Sequence, residues 1–162
     1  MQKTLENIIH AYLGESQARN RYTFYSSIAK KEGYEQISEI FAATAQHEKE
    51  HASWLFKYIN ELIKKGGTPM PEIKSQDVTV PTTLGTTIDN LKAAIVGEHY
   101  ENTEMYPEFA QMADDEGLPE MAARMRSIAT AEGHHEEGYK KILAKIETGL
   151  VFKRDNEVEW TC

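Results

Sequence analysis

Cysteine is nearly absent from this 162-residue chain: Cys162 is the single example, so no intrachain disulfide can form and nothing marks an oxidising compartment. Positive charge is also scarce, with 18 Lys and Arg against 26 Asp and Glu and a formal charge of −8. Without a basic cluster to neutralise phosphates and release counterions, nucleic acid is not an expected partner. No run approaches the roughly 20 apolar residues of a membrane span. Residues 1–10 also lack a basic stretch leading into an apolar one, so a soluble, cytoplasmic protein is expected. What the chain does have is length for one core and a helical period.

Gly66, Gly67, Pro69, Pro71, Pro81 and Gly85 gather in residues 64–85, which show no sustained helical period and read as a crossover linker. On either side lie two long helical segments, separated by Glu32-Gly33-Tyr34 and by Glu116-Gly117-Leu118-Pro119. The punctuation predicts helices near residues 4–31, 35–64, 86–115 and 119–147, with Thr4 a candidate N-cap and Pro119 in a first turn. Pro107 falls inside the third helix, where the lost backbone hydrogen bond predicts a local kink. A shift of 84 residues superposes Glu32, Gly33, Ala45, Glu48 and His51 on Glu116, Gly117, Ala129, Glu132 and His135. Two similar helical hairpins joined by a long crossover predict an all-α, ferritin-like four-helix bundle. The bundle is assigned to residues 1–149 and a tail to 150–162.

Reading each helix in alternating steps of three and four gives the face expected to point inward. Helix two presents Ile37, Phe41, Thr44, Glu48, His51, Leu55, Tyr58 and Leu62, while helix four presents Met121, Met125, Ile128, Glu132, His135, Tyr139, Ile142 and Ile146. Each seam is mostly apolar at its ends, with Glu-x-x-His in the middle. Helix three gives Leu84, Ile88, Leu91, Ile95, Glu98, Asn102, Met105, Phe109 and Met112, with Glu101 one turn from Glu98; helix one gives Leu5, Ile8, Tyr12, Glu15, Arg19 and Tyr22. Carboxylates gathered in a low-dielectric core must take up protons or be compensated by cations. The pair Glu-x-x-His lets one carboxylate bridge two metals while the imidazole caps one, and two such pairs imply two metals. Carboxylates with imidazoles suit iron or manganese, and a set this large without cysteine is unlike structural zinc.

Bland readings exist for single residues. Glu15 alone could pair with Arg19 or Arg21, and Glu101, lying among Glu104 and Glu108, could be a surface acid. Glu48 with His51, and Glu132 with His135, could be solvated pairs, a reading their apolar flanks oppose. His10, His47, His99 and His134 fall off the seams and are expected in solvent. Tyr22, Tyr58, Tyr106 and Tyr139 are core aromatics, and a phenol near the acids could hydrogen-bond a ligand carboxylate.

Gly14-Glu-Ser-Gln-Ala-Arg-Asn-Arg-Tyr22, Glu48-Lys-Glu-His51, Gly97-Glu-His-Tyr-Glu-Asn-Thr-Glu-Met-Tyr-Pro107 and Glu132-Gly-His-His135 closely resemble rubrerythrin, across nearly the whole chain. The resemblance implies a non-haem di-iron peroxidase that reduces hydrogen peroxide to water, usually as a cytoplasmic homodimer in anaerobic or microaerophilic microbes. It implies Glu15, Glu48, His51, Glu98, Glu101, Glu132 and His135 as metal ligands, with Glu101 exchanging with His51 as iron changes oxidation state. Tyr22 and Tyr106 match the family's site tyrosines and, with Glu101, are the expected catalytic groups. Manganese or mixed occupancy suits the same donors. Val158-Glu-Trp-Thr-Cys162 resembles the start of the family's rubredoxin domain, but one thiolate cannot build a four-cysteine iron site, so the expectation is either that the sequence is truncated or that the electron donor is external, such as rubredoxin. The long linker permits the hairpins of one bundle to be exchanged between subunits. The competing readings are a ferritin- or bacterioferritin-type ferroxidase that stores iron, and a metal-stabilised scaffold. Against storage stand Glu101, the tail, the lack of a fifth helical segment, and Lys49 where bacterioferritin carries its haem-ligating methionine.

Overall fold

In a computed structural model, the described residues are 1–67, 72–75 and 78–151. Helices α1 (Gln2–Lys31) and α2 (Glu35–Lys65) form the first hairpin. The second consists of α3 (Thr87–Tyr100), a π turn (Glu101–Met105), α4 (Tyr106–Asp115) and α5 (Pro119–Glu147). The two hairpins pack into an all-α bundle, and the described linker residues have no regular structure. The expected tail at 152–162 lies outside the described residues.

Chain reversals between paired helices use glycines at positive φ, 86° at Gly33 and 75° at Gly117, a region that residues with a Cβ rarely adopt. Helix α3 starts from a reciprocal capping box: Asp89 N donates to Thr86 Oγ1 while Thr86 N donates to Asp89 Oδ2. Thr4 is not the N-cap that the sequence predicts, because α1 begins at Gln2. Instead Thr4 is buried within α1, and its backbone N donates to Glu116 Oε2 at 2.9 Å. At the pseudo-equivalent place, Thr87 N donates to Glu32 Oε2 at 3.0 Å. Each half thus ends its first rod on an acid that satisfies the open N-terminal backbone of the other half.

Two apolar clusters fill the bundle. One is built around Ile8, Leu55, Leu62, Tyr106, Met121 and Met125; the other joins Tyr22, Tyr25, Phe41, Leu91 and Tyr139. Alanines 11, 18, 29, 94, 110, 113 and 122 are also buried, and such small side chains let helices approach closely. The helix-one seam therefore needs correction: Arg19 is exposed and Tyr12 half-buried, while Ala11, Ala18 and Tyr25 complete the inner face. Leu84 is another departure, since it precedes α3 and is 66% exposed.

Candidate metal centre

Between the apolar clusters sit six groups from all four rods. Glu15, Glu48, Glu98 and Glu132 are each at most 1% exposed, and His51 and His135 lie at the edge of the same space. Their ligand atoms fall into two compact groups, Glu15, Glu48, His51, Glu132 and Glu48, Glu98, Glu132, His135, each with all its atoms within 4.8 Å of one another. Glu48 and Glu132 belong to both. His51 Nδ1 lies 2.9 Å from Glu132, 3.3 Å from Glu48 and 3.7 Å from Glu15. His135 Nδ1 lies 2.8 Å from Glu132, 3.3 Å from Glu98 and 3.4 Å from Glu48.

Tyrosines tie the two halves together from outside this cluster. Tyr22 of the first hairpin donates its hydroxyl to Glu98 of the second, while Tyr106 of the second donates to Glu15 of the first. Both oxygens of Glu48 and of Glu132, with Oε2 of Glu15, are buried without a well-aligned hydrogen bond, approached by the imidazoles of His51 and His135 at 2.8–3.7 Å. Unsatisfied carboxylate oxygens at such density are costly unless something positive accepts their lone pairs. The donor set fits two divalent first-row ions, each with a carboxylate of its own, an imidazole and a share of two bridging acids.

Glu101 enters by a different route. Thr4, Ile8, Ala11 and Glu15 lie 83 residues before Thr87, Leu91, Ala94 and Glu98, whereas Tyr22, Ala29, Glu48 and His51 lie 84 before Tyr106, Ala113, Glu132 and His135. The repeat gains one residue at the π turn, where Tyr106 N–H bonds to the carbonyl of Glu101, five residues back. Pro107 then sits in the first turn of α4, so the irregularity expected as a proline kink is a π turn directly before the proline. The insertion also rotates the buried face: Tyr106, Ala110 and Ala113 point inward instead of Phe109 and Met112, which are half-buried. Asn102, expected on the inner seam, is half-buried against Gly133, where an added Cβ would come within 3.0 Å of its amide nitrogen. Glu101 keeps partial exposure and lies outside both four-group sets. Its carboxyl still belongs to the same electrostatic unit, as burial and then the charges of Glu15, Glu98 and Glu132 push its pKa well above the usual range.

Without metal the centre must hold protons. Burial, then the charge of Glu15, raises Glu48 well above an ordinary carboxylate, and burial lifts Glu98 to about 7 despite the opposing hydrogen bond from His135. Burial also works against Glu132, but hydrogen bonds from His135 and His51 outweigh it and lower this acid to about 2. Burial disfavours charge on His135, yet the hydrogen bonds to Glu132 and Glu98 raise it to about 9; His51 rises further through Glu132, Glu15 and Glu48. Tyr22 and Tyr106 stay protonated because burial first, then the adjacent Glu98 or Glu15, pushes each phenol up.

Two histidines expected in solvent have partners. His47 is exposed, but its Nδ1 lies 3.0 Å from His135 Nε2, and burial followed by the neighbouring imidazoles lowers its pKa. His99 Nδ1 lies 3.0 Å from Glu136, a buried acid that also binds Lys140. His10 is half-buried, packed edge-on against Phe109, whereas His134 is exposed. Seam periodicity missed His47 because its contact crosses to another helix.

A helical bundle with two Glu-x-x-His pairs facing each other across its core defines a ferritin-like carboxylate protein. The rubrerythrin family profile matches residues 6–143, and the chain belongs to the rubrerythrin family. It is 57% identical over 162 residues, all of this chain and 79% of the relative, to a Methanocaldococcus jannaschii protein named as a rubrerythrin. It is 48% identical over 160 residues, 99% of this chain and 80% of the relative, to rubrerythrin-1 of Clostridium acetobutylicum. Among solved structures, fully reduced, all-ferrous nigerythrin superposes with a TM-score of 0.75 at 31% identity, covering 89% of this chain and 67% of that one. An iron-soaked PmFTN variant, at 18% identity and a TM-score of 0.72 over 93% of this chain and 95% of that one, shares the fold. Family and fold together support a di-iron protein of an oxidoreductase family. Among the described residues, no helix is long and apolar enough to cross a membrane.

Proposed function

We propose that this chain is a non-haem di-iron peroxidase that reduces hydrogen peroxide to water with electrons from a donor such as a rubredoxin. The observation that carries the reading is the pair of four-group sets sharing Glu48 and Glu132, buried acids that are approached by two imidazoles and have no well-aligned protein hydrogen bond of their own. Glu15 with His51 and Glu98 with His135 would hold one ion each, Glu48 and Glu132 would serve both, and Glu101 would be the additional carboxylate. Two ferrous ions bound there would supply two electrons to peroxide, which with two protons becomes two waters. Manganese is the competing occupant of the same donors.

The chain's own part is to hold and supply protons. Tyr22 and Tyr106 fix the carboxylates of Glu98 and Glu15 by hydroxyl donation. The apolar clusters on both sides keep bulk water from the bridging acids. Glu101 is partly accessible and favours its protonated form, which suits it to carry a proton inward and to move as a ligand in exchange with His51. Residues 1–149 form the catalytic bundle, in a cytoplasmic homodimer. The test is single-turnover mixing of anaerobically reduced, iron-loaded protein with hydrogen peroxide and, separately, with oxygen. Two irons per chain oxidised much faster by peroxide are expected. Preferential use of oxygen with continued iron uptake would replace the peroxidase reading with a ferritin-type one.

A further inference from the structure

We propose that His47 is a positioning residue that anchors His135, accepting its Nε2–H so that Nδ1 stays aimed into the carboxylate cluster. The inference rests on the reading of His135 as a metal ligand. A neutral imidazole that binds metal through Nδ1 must carry its proton on Nε2, and that proton needs an acceptor. His47 Nδ1 stands 3.0 Å from that nitrogen. The two rings are 6° from parallel with centroids 5.3 Å apart. With the nitrogens so much closer than the centroids, the rings lie edge to edge in nearly one plane, so the hydrogen bond runs along the lone pair of His47. Its own proton then sits on Nε2. Because His47 projects from α2 and His135 from α5, the bond also clamps one hairpin to the other at the edge of the centre.

The pseudo-equivalent position, 84 residues on, is Ala131, which offers no side-chain acceptor. From this register His51 therefore has no counterpart to the anchor that His135 has. Two chemically identical ligands are thereby made different: one is held from behind, while the other depends on its Nδ1 contacts with the acids.

The full chain is titrated with Zn2+, chosen because it is diamagnetic, against a competing chelator, while the ring nitrogens of His135 are followed by NMR. His47→Leu should weaken one of the two bound ions by about 10–100-fold and bring the His135 Nε2 proton into rapid exchange with water. His47→Gln, whose amide oxygen can accept the same bond, should recover most of the affinity and the protected proton. Wild-type affinity and a protected Nε2 proton in the leucine variant would overturn the assignment. So would equal losses in both variants accompanied by a lowered unfolding temperature, because that marks a packing role. If wild-type protein takes up no Zn2+, the metal centre itself fails and the anchor falls with it.

Discussion

The two hairpins carry the same acids, histidine and tyrosine at the centre and differ beside it in two places. Glu15, Tyr22, Glu48 and His51 of the first correspond to Glu98, Tyr106, Glu132 and His135 of the second, and each tyrosine holds the glutamate of the opposite half. The reciprocal pattern makes one cage from two copies of a helical hairpin, and neither copy completes a four-group set alone. The differences are additions to that cage. The second hairpin has one more residue, at the π turn, which brings Glu101 beside the cluster where the first has Ala18. The first hairpin has His47 where the second has Ala131. Repetition supplies a symmetric bed of ligands, and the departures from it are where the two positions acquire separate behaviour.

The strongest way to break the symmetry is to remove a shared acid. Glu132→Ala should leave fewer than two irons per chain by metal analysis, and Glu48→Ala should do the same, because both belong to both sets. Two irons at unchanged affinity in either variant would show that the bridge is misassigned. Next in size is the group with no counterpart: Glu101→Ala should lower peroxide turnover by about a hundredfold in a stopped-flow assay. Full turnover with unchanged metal content would remove Glu101 from the mechanism.

The paired tyrosines test equivalence directly. Tyr22→Phe and Tyr106→Phe should each weaken anaerobic ferrous binding by about tenfold, since each strips a donor from one buried carboxylate. Unequal losses would show that the halves differ beyond Glu101 and His47. The smallest effect is thermal. In the metal-free chain His135 is raised to about 9 from an unfolded value of about 6.5. A raised histidine contributes stability that is complete below about pH 6.5 and is lost as pH climbs to about 9. Glu98, raised to about 7, adds a decline of the same sign from about pH 4.5 upward. The unfolding temperature of metal-free protein should therefore fall between about pH 6.5 and 9, while that of loaded protein, in which metal replaces those protons, should stay flat. Calorimetry on both forms across this window checks the sign.

Much of this was legible in the residues. On α2, Ile37, Phe41, Thr44, Glu48, Leu55 and Leu62 are buried at the period read from the sequence, and on α5 so are Met121, Met125, Ile128, Glu132 and Tyr139. A long amphipathic helix announces its inner face by repetition, and an acid repeated within that face stands out because water would otherwise hold it. The first rod was read less well, because alanine carries little hydropathic signal and Arg19 happens to fall in step. On the third, Met105 is buried as read, but Asn102, Phe109 and Met112 are only half-buried: no period of three and four can express an added residue, and the proline that marks the place is equally a sign of a kink.

By itself, then, the sequence determined the helices, the two hairpins, the apolar seams and the acids and histidines set into them, since these depend on spacing along single helices. Tertiary structure decided which acids are shared, which tyrosine serves which glutamate, how the π turn carries Glu101 to the cluster, and that His47 meets His135. Those are contacts between helices distant in the chain. They depend on rotation and rise of one rod against another, which a local period does not encode.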